Sequence, residues 1–214
     1  MCLPDPAPAV SYPPAPWHTC GGAWIGLFRA DQAVPVPPDL KPLLGARWLV
    51  VALIRHLAGT LRYDELIVGA LVRRGAHPGL HVHAIWVDSR ASQASGHHIW
   101  GLPKVLARFD WRDSTVQIAD ADGLVATLHI DPRTALLPRL PVAVPVFGER
   151  SQRRLRALAL ASARLGRAGL RVAAWSERFP YRVGARPLFA VAMKPFDLVV
   201  HPPRTLDGTG GAAR

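Results

Sequence analysis

Gly96-His97-His98-Ile99-Trp100-Gly101-Leu102-Pro103-Lys104 sets one lysine behind a proline-stiffened turn, in apolar company, within a chain that otherwise avoids lysine. Of 26 basic residues only Lys41, Lys104 and Lys194 are lysines. Arginine stays protonated and cannot attack a carbonyl, whereas a desolvated lysine gives up its proton and becomes an amine nucleophile. Lysine after a tight turn is ordinarily exposed. The scarcity of lysine and the apolar residues around this one make Lys104 the first candidate for covalent chemistry.

Outward from this stretch, Pro103 holds Leu102 extended, and Ser89 is placed to cap a short helix running to about Gly96. Lys104 is therefore expected just past a helix end, entering a strand over Leu106–Trp111. Segments of strand length recur on either side at Ala23–Arg29, Arg47–Arg55, Arg62–Val72, His81–Val87 and Leu124–Ile130. Gly, Pro and Asp separate them, which favours a sheet-rich fold. In His81–Val87 both alternating faces carry apolar groups, as in a central strand. Asp122-Gly123 marks a hairpin between Thr115–Ile118 and Leu124–Ile130. Leu188–Met193 and Asp197–Val200 would close the sheet. Arg153–Trp175 suits a helix by composition, and equally a hairpin turning at Gly166–Gly169.

Tyr63-Asp64-Glu65, the strand ending His83-Ala84-Ile85-Trp86-Val87-Asp88, and Gly96-x-x-Ile99-Trp100-Gly101-Leu102-Pro103-Lys104-x-Leu106-Ala107 together resemble the acetoacetate decarboxylase family. The spacing from Glu65 to Lys104 agrees with the family without gaps. Weaker likeness reaches Pro16-Trp17, Phe28-Arg29-Ala30-Asp31 and Met193-Lys194-Pro195-Phe196. The resemblance implies a mainly β (α+β) fold: a single-domain, cone-shaped β-barrel with a few short helices and an interior site. It also implies strands at Arg153–Trp175, paired as a hairpin. Lys104 becomes the Schiff-base lysine and Glu65 a carboxylate that positions substrate or relays a proton. Trp100, Leu102, Val105 and His83 are expected to shape the substrate pocket.

The implied reaction is that of a Schiff-base lyase acting on a keto acid or related carbonyl compound, by decarboxylation or by aldol or dehydration chemistry through the same imine. It needs no metal and no organic cofactor. Burial can lower a lysine pKa by roughly 3–5 units in the extreme case. Three departures from the family stand out. Val105 occupies the place of a second lysine that would help to activate the first; the handed-down active-site arginine falls at Gly21; and His97-His98 replaces an Arg-Glu pair. These departures favour reactions other than acetoacetate decarboxylation, and motivate an alternative in which the barrel is a non-catalytic small-molecule binding protein. Arg29, Arg55 and Arg62 are the candidates to replace the arginine. Adjacent on a helix, His97 and His98 point about 100° apart and do not share a metal.

With 214 residues, half of them apolar, the chain can bury a full core. A proline-rich segment (1–16), a folded domain (17–204) and a flexible tail (205–214) are expected. The formal charge of +11 comes from arginines dispersed along the sequence. Dispersal disfavours a nucleic-acid partner; a positive field would also concentrate anionic small molecules near a cleft, so charge alone does not choose between partners, and an anionic carbonyl substrate is expected. No long apolar run or signal-peptide pattern appears, so a cytoplasmic protein without a membrane partner is expected. The resemblance adds a homo-oligomer. Cys2 and Cys20 lack the spacing of a metal site or redox pair and read as incidental thiols.

Overall fold

The computed structural model describes residues 10–131, 136–179 and 181–206. In chain order these form β1 (Trp17–Arg29), β2 (Lys41–Pro42), β3 (Trp48–Gly59), β4 (Tyr63–Arg74), β5 (His77–Val87), α1 (Arg90–Ser95), a π-helical turn (Gly96–Trp100), β6 (Lys104–Arg112), β7 (Thr115–Asp120), β8 (Gly123–Asp131), β9 (Leu136–Arg150), β10 (Arg153–Arg167), β11 (Gly169–Trp175), β12 (Phe189–Val200) and β13 (Arg204–Leu206). All five apolar segments coincide with strands to within one residue, and the hairpin at Asp122-Gly123 forms between β7 and β8.

Seven strands close a barrel in the order β5-β9-β10-β12-β1-β3-β4, with β4 returning to β5. A second layer, β6-β7-β8-β11, leaves the ring at β5. This arrangement explains strands that are apolar on both faces. In β3, Leu49, Val51 and Leu53 point outward and are fully buried against the second layer, together with Leu66, Val68, Val116, Ile118 and Leu128. The alternate residues Val50, Ala52, Ile54 and His56 point inward and line a cavity. One face of the barrel wall thus makes the main core and the other makes a chamber.

The sequence reading of Arg153–Trp175 needs one correction. Both halves are strands, as the resemblance implies, yet they do not form a hairpin: β10 lies between β9 and β12 in the barrel, whereas β11 crosses to pair with β8. The two closing segments fuse into the single strand β12, which joins β1 to β10. Thr205 and Leu206, assigned to the tail, pair with β10. Residues 207–214 of that tail, and residues 1–9 with Cys2, lie outside the described residues; Cys20 is a free thiol in β1.

Candidate active site

Lys104 begins β6, and its direction follows from strand pairing. β6 runs parallel to β5, with Lys104 opposite Ile85 and Val105 opposite Trp86. Ile85 lines the chamber, so Lys104 turns inward, while Trp86 and Val105 face away. Ser89 caps α1 as expected, its hydroxyl accepting from the Ser92 N–H. The π-helical turn then carries the chain back to Lys104, a local widening frequent at functional sites. Gly96 lies against the lysine stem: a Cβ here would come within 2.4 Å of Lys104 Cδ. His97 Nε2 sits 2.7 Å from the Lys104 carbonyl oxygen, and Gln93 donates to the same oxygen at 3.3 Å. The His98 ring lies 5.8 Å from the ring of Tyr12, and its carbonyl accepts from Arg150.

Inside the barrel, Lys104 Nζ donates to Glu65 Oε1 at 2.7 Å and to Ser92 Oγ at 2.9 Å. Glu65 Oε2 faces His56 Nε2 at 3.6 Å, and His56 Nδ1 lies 2.9 Å from Thr19 Oγ1. The His56 ring stacks on Tyr63 at 4.2 Å, and Lys104 Nζ stands 5.2 Å from the Tyr63 ring centroid. Tyr63 is hydrogen-bonded to Ser92. Lys104, Glu65 and His56 are 5%, 6% and 4% exposed, and Ser92 is fully buried. Burial alone would push the Glu65 carboxyl up, but the Lys104 charge and the contacts from His56 and Lys104 outweigh it and hold the group at about 2. Glu65 is therefore a carboxylate throughout the physiological range. Burial first, and the Glu65 charge second, raise the Tyr63 phenol well above its usual value, so it stays neutral.

This polar group occupies one pole of a cavity of about 380 Å³. Trp17 and Trp100 pack edge to face across that pole at 4.9 Å, their indole N–H groups donating to the carbonyls of Pro13 and His201. Of the four residues expected to shape a substrate pocket, Trp100 and Leu102 line this cavity. His83 and Val105 do not. His83 projects from the other face of β5, beside His81 and Tyr181, and its Nε2 is buried without a hydrogen-bond partner. Val105 is 44% exposed.

Period-two geometry also separates the two neighbouring carboxylates. Glu65 points in, while Asp64 points out, accepting from Arg55 at 3.2 Å and from Trp111 at 2.6 Å. Arg55 is thereby held outside the barrel, and neither Arg29 nor Arg62 lines the chamber. Gly21 has no space for any side chain: a Cβ would lie 1.8 Å from the Arg55 carbonyl oxygen, beside a bulge in β3 where Leu57 is skipped in the pairing with β1. Sequence reasoning missed His56, Ser92 and Thr19; the serine two residues past the helix start was the one readable hint. Among the described residues no cluster of three or more His, Cys, Asp or Glu side chains is placed to hold a metal. A larger outer groove of about 1070 Å³, which includes Arg167, Arg171 and Arg186, contains none of these site residues.

A family model described as acetoacetate decarboxylase matches residues 10–140. No curated protein matches the sequence. Among solved structures, acetoacetate decarboxylase from Legionella pneumophila superposes with a TM-score of 0.65 at 16% identity, over 95% of this chain and 92% of that one. An acetoacetate decarboxylase-like enzyme from Sphingomonas wittichii gives 0.59 at 14% identity, over 97% and 99%. The enduracididine biosynthesis enzyme MppR, complexed with pyruvate, gives 0.59 at 15% identity, over 92% and 93%. MppR has also been solved with the condensation product of pyruvate and imidazole 4-carboxaldehyde.

Proposed function

Because the chain belongs to the acetoacetate decarboxylase family, we propose that it is a Schiff-base-forming carbon–carbon lyase, with Lys104 as nucleophile and a keto acid or related carbonyl compound as substrate. The observation that carries this reading is a buried lysine amine held by Glu65 and Ser92 at the one polar pole of an otherwise apolar chamber.

The steps use groups within reach of Lys104 Nζ. Lys104 passes one proton to Glu65 and adds as the free amine to the substrate carbonyl carbon; the oxygen leaves as water, taking that proton back together with one from the nitrogen, and a protonated imine remains. Electrons of an adjacent carbon–carbon bond flow into this cation. From a β-keto acid the departing fragment is carbon dioxide. From a β-hydroxy carbonyl compound it is an aldehyde, the hydroxyl proton passing to the Glu65 carboxylate. The resulting enamine takes a proton at carbon, and water hydrolyses the imine to release product and regenerate the amine. Glu65, 2.7 Å from Nζ, lies within the reach that proton transfer requires. It also balances the charge of the imine in a site without bulk water. The MppR complexes support including bond formation between two carbonyl compounds in this reading.

Borohydride reduction in the presence of a panel of carbonyl compounds, followed by peptide mass spectrometry, tests it. A stable adduct on Lys104 that vanishes in Lys104→Ala is the expected result. Binding of the same compounds with no adduct would instead indicate a barrel that binds carbonyl compounds without acting on them.

A further inference from the structure

We propose that the substrate is a ketone or aldehyde with an extended apolar tail and no carboxylate beside the reacting carbonyl, an inference that rests on the imine reading above and narrows it. The charge balance at the polar pole is the first argument. Lys104 is already matched by Glu65, which remains ionised, and no arginine or second lysine lines the chamber among the described residues. His56 is the other basic group there: its Nδ1 meets Thr19, and its buried Nε2, without a hydrogen-bond partner, lies 3.6 Å from Glu65 Oε2. A substrate carboxylate would bring a second anion beside Glu65 with no arginine or second lysine to pair it, and a poorly paired buried charge is strongly unfavourable. The expected clamp cannot sit at Gly21, where the Arg55 carbonyl fills the space of a Cβ.

The second argument is the shape of the apolar region. Strand register sets Glu65 opposite Ile54 and Ile54 opposite Ala23, whereas Leu27 is opposite Phe189. Ala23 and Leu27 are four residues apart, so at ~3.4 Å per residue the apolar wall extends about 13 Å from the pole. Ile25, Ile67, Val82 and Met193 line this length, and Phe189, 56% exposed, stands at its far end. At about 30 Å³ for each water-sized group, the cavity accommodates on the order of a dozen non-hydrogen atoms. A three- or four-carbon keto acid would leave about half of that space unfilled.

The test is competitive borohydride trapping on the wild-type protein, using 2-alkanones from acetone to 2-undecanone, pyruvate, acetoacetate, and a 2-oxo acid matched in length to the longest ketone. Expected is a rise in adduct of about fourfold per methylene until the chamber is full, with the matched oxo acid at least tenfold below its ketone. Ala52→Phe, which fills the middle of the chamber, is expected to erase the preference for long over short ketones. Short keto acids trapped as well as long ketones would overturn the proposal. If nothing is trapped, the imine reading fails, and calorimetry on the wild-type protein with the same series still decides the ligand class. Binding that strengthens with ketone length upholds it, whereas binding only of acids, or no binding at all, overturns it.

Discussion

Gly96 limits where the Lys104 side chain can stand. With a Cβ 2.4 Å from Lys104 Cδ, Gly96→Ala must push the lysine stem aside or shift the π-helical turn, at a cost of about 1–3 kcal/mol for overpacking. We expect the variant to fold, and Lys104 trapping to slow at least tenfold in a single-turnover borohydride assay. Glu65 links the site to acid stability. Its carboxyl is held at about 2 against an ordinary 4.5, so it contributes stability that is complete above about 4.5 and is lost as pH falls towards 2. Glu65→Gln, which leaves the ammonium buried without its counter-ion, is expected to lower stability by roughly 3 kcal/mol at pH 7. The gap to wild type should narrow at pH 3, as read by urea denaturation at both values. That Lys104 and Glu65 would meet was legible from the family resemblance, whose motif fixes their spacing. His56 and Ser92 were not, since a histidine on an apolar strand and a serine in a short helix acquire meaning only when β3, α1 and β6 meet in space.

At the level of elements, the segment between β5 and β6 behaves as a bracket for the lysine. Ser89 caps α1, and Ser92, one turn on, receives the Lys104 amine. Ser89→Ala should cost about 1 kcal/mol, measured as a lower thermal midpoint, and should slow adduct formation as Ser92 loses its anchor. The sequence announced this bracket through Ser89 and Pro103, and announced the five apolar strands through their length and punctuation. Two elements were harder to read. β10 is rich in Ala, Leu and Arg, good helix formers, and becomes a strand because β9 and β12 flank it, an instance of tertiary context overriding propensity. β9 carries Pro138, Pro141 and Pro145, which argue against a strand interior. It tolerates them because β10 accompanies it throughout, whereas β5 touches it only at Val146 and Phe147.

Seen whole, the barrel is a ring with one thin joint. β5 and β9 meet through two residue pairs, compared with eleven between β1 and β3. Hydrogen exchange should therefore find β9 amides opening at least tenfold faster than those of β1, because local opening follows the number of shared hydrogen bonds and buried contacts. Equal protection would mean that the joint is reinforced by packing on its outer side. The close approach at Gly21 has a consequence of another kind. Because the Arg55 carbonyl occupies the space where a side chain would begin, no single codon change can return a carboxylate-gripping residue to that position. Conversion towards small acids would need an insertion or deletion that re-registers β1 against β3, a rarer event than point mutation. The preference of this barrel is thus written in its backbone, and drift at individual side chains will tend to preserve it.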